Sequence, residues 1–108
     1  MSLRPPSRYS APALSGGAGE GGFSPLDHEI AAEKAASLGR AGEKVEKALR
    51  RLDDCEPSAP ERPQCLKAAA EAVYAYFIQR ELCGLRRHHD AIRDYAIPAE
   101  VLARLGVT

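Results

Sequence analysis

An all-α fold, a long antiparallel helical hairpin plus a short C-terminal helix, is predicted by three features of this sequence. From Ala31, the residues Ala35, Leu38, Gly42, Val45, Leu49 and Leu52 follow at alternating steps of 4 and 3, the spacing of a heptad seam on one helix face. The stretch "CEPSAPERPQ" then brings Pro57, Pro60 and Pro63, which stop a helix and stiffen a connection. Beyond it, a second alanine-rich segment with helical apolar spacing runs toward Pro98.

Residues 1–23 stand apart from this pattern. The stretch "MSLRPPSRYSAPALSGGAGEGG" is rich in Gly, Pro and Ser and has no apolar run, so it cannot offset the entropy of ordering itself. A flexible tail is expected over residues 1–23 and a helical hairpin domain over 24–108. The chain's 108 residues allow one small domain, and with no Trp and 2 Phe its core is limited. Its 15 basic and 15 acidic side chains leave a formal net charge of zero, which gives no net field to draw it to nucleic acid or an anionic membrane. No apolar run approaches the roughly 20 residues of a membrane span, and no signal-like apolar region follows the N-terminus. A cytoplasmic protein is expected, with Cys55, Cys65 and Cys83 reduced. Cys55 and Cys65 bracket the proline loop, so a disulfide between them under oxidising conditions stays open.

The first helix begins at "SPLD". Ser24 suits an N-cap, Pro25 the first helical position, and Asp27 can complete a capping box. Gly39 and Gly42 each weaken a helix by about 1 kcal/mol, so close approach of another backbone or a large side chain is expected there. The second helix is expected to start at Pro63 and continue to about residue 96, its apolar face drifting from Leu66, Ala70, Val73 and Phe77 to Tyr74, Ile78, Leu82, Leu85 and Ile92. Gly84 in its middle marks a bend or a tight crossing. Pro98 and Glu100 open a short terminal helix that ends at Gly106, with Val101, Leu102 and Leu105 as its apolar edge. Such a short helix must dock on the hairpin or on a second chain.

Folding one long helix back on the other sets Leu52 near Leu66, Val45 near Val73, Gly42 opposite Phe77 and Ala35 opposite Gly84. One seam leaves the second face of the C-terminal helix wet, and two hairpins joined as a four-helix bundle would cover it. A homodimer is therefore expected, with Tyr74, Ile78, Leu82, Leu85, His89 and Ile92 at its interface. Closure of a monomer by the terminal helix and the tail is the rival arrangement. Tyr74 is assigned to the interface and Phe77 to the core, while Tyr76 points elsewhere and Tyr95 pins the turn into the terminal helix.

All three histidines fall at one end of the predicted hairpin, and Asp27, His28 and His88 together suggest a site for zinc or a similar metal. Against it, His88 and His89 diverge by about 100° on a helix, and no HExxH or ExxH spacing is present. His89 follows the apolar period of Leu85 and Ile92, the place of a buried core or interface histidine, where protonation could loosen a dimer. Ser37 and Cys83, the nucleophiles within reach, have no strained elbow or glycine loop around them, so no enzyme is expected. Arg40, Lys44, Lys47 and Arg51 line one face of the first helix and form the best nucleic-acid-binding feature of the chain. Glu43 and Glu46 interleave with them as i, i+4 partners, which is equally the pattern of a solvated face.

With "LDHEIAAEKAASLGRAGEKVEKAL" and "YFIQRELCGLRRHHDAIRDYAIPAEVLARLG", residues 26–106 resemble small bacterial proteins of an uncharacterised all-helical family. The resemblance implies the helical fold and carries no catalytic residue onto these positions. The reading that follows is a cytoplasmic helical interaction or scaffold protein that needs no cofactor, forms a homodimer or binds another protein, and does not enter a membrane. A metal-binding or pH-responsive bundle and a nucleic-acid-binding accessory protein are the two alternatives.

Overall fold

A computed structural model describes residues 24–106. Four helices follow one another: α1 (Pro25–Asp54), α2 (Arg62–Leu82), α3 (His89–Asp94) and α4 (Ala99–Leu102). Among the described residues there is no strand, and no helix is long and apolar enough to cross a membrane. The tail expected at residues 1–23 lies outside the described residues. The chain divides into two units between Lys34 and Ala35.

In the first unit the start of α1 is capped as its sequence predicts. The Asp27 amide donates to Ser24 Oγ at 3.1 Å and the Ser24 amide donates to Asp27 Oδ2 at 3.2 Å, a reciprocal capping box. His28 follows with its amide bonded to the Ser24 carbonyl at 3.1 Å. Leu26, His28 and Ile30 are exposed.

The second unit holds the core. From Leu38 onward the heptad seam of α1 turns inward: Gly42, Val45 and Leu52 are buried, and Leu38 and Leu49 are half-buried. They pack with Cys65, Leu66, Ala69, Ala70, Val73, Tyr76 and Phe77, the inner face of α2. The long antiparallel hairpin is thus present, and Val45 and Val73 are both fully enclosed. Short turns through Glu56–Ala59 and Ala59–Arg62 carry the chain across the proline loop.

The second long helix is shorter than expected. It stops at Leu82 rather than continuing to about residue 96, and Gly84 is the cause. With φ of +90°, Gly84 takes the left-handed conformation that glycine adopts at least cost. Its amide donates to the Glu81 carbonyl at 3.0 Å and the Leu85 amide donates to the Arg80 carbonyl at 2.9 Å. This pair of bonds is a Schellman C-cap, which ends a helix and reverses the chain. A second such cap closes α3, where the Ile97 amide donates to the Ile92 carbonyl at 3.0 Å and the Ala96 amide donates to the Arg93 carbonyl at 3.1 Å. Pro98, in extended conformation, then opens α4.

The reversal changes what covers the hairpin. Ala91, Ile97 and Val101 return into the same buried cluster as Val45 and Val73, and α4 packs on α2. The terminal helix therefore docks on its own hairpin. Gly42 does not face Phe77: a Cβ there would meet Tyr95 Oη at 2.6 Å and Tyr76 Cε1 at 3.6 Å. Tyr76, expected to point elsewhere, is buried beside Phe77. Ala35 is exposed and no described atom lies within 4 Å of the position a Cβ would take on Gly84, so that expected crossing is not made.

Gly39 and Gly42 part ways on the same grounds. No described atom comes within 4 Å of a Cβ on Gly39. Gly39→Ala is therefore expected to stabilise the protein by about 1 kcal/mol through helix propensity alone. Gly42→Ala gains the same propensity but drives the Tyr95 ring from its seat against Tyr76, so a net loss is expected. Urea unfolding of the two variants, followed by helicity, checks the opposite signs.

Candidate functional site

An outward row on α2 is the most distinctive surface of the second unit. Tyr74, Ile78 and Leu82 recur every fourth residue, and Leu85 is held beside the last turn by its amide bond to the Arg80 carbonyl. Their exposures are 47%, 41%, 64% and 43%, high for large apolar side chains that share one stripe. Gly106, with φ of +75°, lies against the Tyr74 ring, where a Cβ would be 3.6 Å from Cε1. The α4 end of the chain therefore borders one end of the row.

A clasp of polar and aromatic groups borders the other end. Arg80 Nε donates to His88 Nδ1 at 3.1 Å, and Arg80 Nη2 donates to the Arg87 carbonyl at 2.8 Å. With Nδ1 accepting, the His88 proton sits on Nε2, which donates to Glu81 Oε2 at 3.1 Å. The His88 ring lies flat on Phe77, with centroids 4.2 Å apart and planes 2° from parallel. Arg80 also lies over the Tyr76 ring at 5.8 Å, and Tyr76 meets Tyr95 edge-on at 5.4 Å. The Tyr95 phenol is held above its ordinary pKa first by burial, then by its hydrogen bond to Tyr76 and by the charge of Glu46, with Arg80 opposing. The loop after Gly84 is thereby fastened to α2, and Leu82 and Leu85 are presented on a fixed backbone.

A family model matches residues 8–108. The chain belongs to DUF6665, a family of unknown function. No match was found among curated proteins or among solved structures.

The remaining residues singled out from the sequence of this DUF6665 chain are placed as follows. His89 is exposed as the first residue of α3, and Ile92 is half-buried against the core rather than on the outward row. Both depart from the expected stripe because that stripe assumed one helix running through Gly84. Asp27 is engaged in the α1 capping box, and both ring nitrogens of His88 have protein partners. Among the described residues no three His, Cys, Asp or Glu side chains gather to hold a metal ion. Arg40, Lys44, Lys47 and Arg51 are all exposed. Arg40 donates to Ser37 Oγ at 3.0 Å, and Arg40 and Lys44 edge a shallow groove of about 250 Å³ floored by Ala41, Ala72 and Ala75.

Two further features of this chain escaped the sequence reading. Arg80 and Glu81 open the stretch "RELCG", and a charged pair in the last turn before a stop signal is where a returning chain finds partners. Arg62, just before Pro63, reaches back to the carbonyls of Leu52 in α1 and of Cys55 just past it, each at 3.2 Å, and forward to Glu100 at 2.7 Å. A basic residue at the start of α2 runs against the usual helix-dipole preference, and that mismatch was the available signal.

Proposed function

We propose that this protein is a helical interaction module that pairs with a second copy of itself through the row Tyr74, Ile78, Leu82 and Leu85. The single observation that carries the reading is this row: three large apolar side chains left exposed on α2, whose other face is fully packed, with Leu85 exposed just past its end. An antiparallel pairing of two α2 helices about a two-fold axis at Ile78 sets Tyr74 across from Leu82 of the second copy. A formal net charge of zero opposes such pairing with no long-range repulsion. The role is that of a cytoplasmic scaffold rather than a catalyst.

Four side chains and their rim make an interface at the small end of the specific range, so an affinity of order micromolar is expected. Sedimentation equilibrium between about 1 and 200 µM should reveal a monomer–dimer equilibrium. Ile78→Glu, which places two like charges on the axis, should leave a monomer of unchanged helicity. A wild-type chain that stays monomeric across the range rules the pairing out.

A further inference from the structure

Cys55 and Cys65 meet across the α1–α2 connection. Cys55 lies one residue past α1 and is half-buried, and Cys65 is buried in the first turn of α2. Their thiols hydrogen-bond to each other. Arg62 fixes the backbones that carry them: Nη1 takes the Cys55 carbonyl and the Leu52 carbonyl, each at 3.2 Å, and Arg62 is itself on the turn that leads to Cys65. Both cysteines pack within the same apolar cluster as Leu52 and Leu66. Cys55 also lines a cleft of about 570 Å³ with Leu49, Pro57, Arg62 and Tyr95, whereas Cys65 does not.

We propose that Cys55 and Cys65 form a dithiol modification site that closes into an intramolecular disulfide, clipping the connection between α1 and α2, with a small disulfide such as glutathione disulfide as the oxidant. In the first step the Cys55 thiol gives up its proton and its sulfur attacks one sulfur of the oxidant. The oxidant's S–S bond breaks, and one glutathione leaves as thiolate and takes up that proton. In the second step Cys65, deprotonated in turn, attacks the Cys55 sulfur and the second glutathione departs with the proton. Two electrons pass from the protein to glutathione, and one disulfide is exchanged for another.

The cleft side of the pair sets the order of attack, since Cys55 is the sulfur an oxidant meets first. Burial holds the Cys55 thiol above its ordinary pKa, and the neighbouring Cys65 thiol and Glu61 add to this against the pull of Arg62. Closure is therefore slow at neutral pH and quickens as pH rises. Equilibrium, not rate, is the measure of how well the fold positions the two sulfurs.

The test equilibrates the full chain in glutathione buffers of graded ratio, native and in urea, followed by acid quenching, alkylation and trypsin. Residues 52–67 emerge as one peptide holding both cysteines, because the Arg62–Pro63 bond resists trypsin, and closure removes two hydrogens from its mass. Cys83 falls in a separate peptide, residues 81–86, and reports competing chemistry. The expected result is closure in the native chain at a glutathione ratio at least about tenfold more reducing than in urea. Cys83→Ser should close as the wild type does, and Cys65→Ser should stop at glutathione mixed with Cys55. Equal or poorer closure in the native chain overturns the proposal, as does oxidation that runs instead through Cys83 between chains. The native-against-urea comparison uses the unaltered chain, so it stands even if Cys65→Ser does not fold.

Discussion

Phe77→Ala is expected to destabilise the protein by about 3–4 kcal/mol, the largest single-residue loss in the structure. Phe77 is buried among α2 and core side chains, touching Tyr76 with ring centroids 6.4 Å apart. Its outer face is the floor on which His88 lies flat at 4.2 Å. Truncation opens a cavity on the inside and removes the floor on the outside, so transfer energy and the His88 clasp are lost together. A domain of this size has about 5–8 kcal/mol in total, and most of it would go. Urea unfolding followed by helicity gives the number, and a loss under about 1 kcal/mol would refute the burial argument. His88→Ala supplies a second reading. If the stacked pair acts as a unit, the double variant Phe77→Ala/His88→Ala should be less destabilised than the sum of the two single variants. Strict additivity would mean that the clasp contributes nothing through Phe77.

How far the sequence disclosed this architecture depends on the range of each signal. Periodicity is local, and it located α1, the inner face of α2 and the terminal helix. The heptad positions Leu38, Val45, Leu49 and Leu52 turned inward as their spacing implied. Gly84 was read as a bend or a tight crossing within one long helix, because the apolar residues beyond it continue at helical spacing, and not as the end that it is. What decides between a bend and an end is a pair of backbone hydrogen bonds to the Glu81 and Arg80 carbonyls, and these depend on where the chain goes next. The consequence spread: His89 and Ile92 were placed on the outward stripe only because the helix was carried through the glycine.

Long-range polar contacts were less legible still. Nothing in "RELCGLRRHHD" states that Arg80 will share His88 with Glu81 across a reversed chain, although all three residues lie within this stretch and Phe77 lies one turn before it on α2. The close approach at Gly42 was foreseen and its partner was not, because Tyr95 reaches it only after α3 has turned back. By contrast, Tyr74, Ile78 and Leu82 were legible as a stripe, since exposure along one straight helix follows from spacing, whereas Leu85 joins them through the C-cap at Gly84. The proposed pairing surface therefore rests on the part of the sequence that is easiest to read.

Arg62→Ala is the second change with a large expected effect, about 2 kcal/mol of destabilisation. One guanidinium joins three elements: Nη1 donates to the Leu52 and Cys55 carbonyls at the end of α1, and Nη2 donates to Glu100 in α4 at 2.7 Å. The ion pair alone is weak, because the Glu100 side chain is 48% exposed and solvent screens it, leaving well under about 1 kcal/mol. The carbonyl bonds contribute more. They satisfy acceptors at a helix end beside the core, where a charged donor is worth about 1.5–3 kcal/mol. Arg62→Lys keeps the charge but lacks a fork able to serve both directions, so it should recover less than half of the loss. Glu100→Gln should cost only the screened part, and added salt should erase most of the difference between it and wild type. Amide exchange gives the effect a location: with α4 released from its tie, the amide of fully buried Val101, bonded to the Pro98 carbonyl at 3.0 Å, should exchange faster in Arg62→Ala than global unfolding predicts. If Lys serves as well as Arg, or if Val101 exchanges only with global unfolding, Arg62 is a surface cation and the three elements are held together by packing alone.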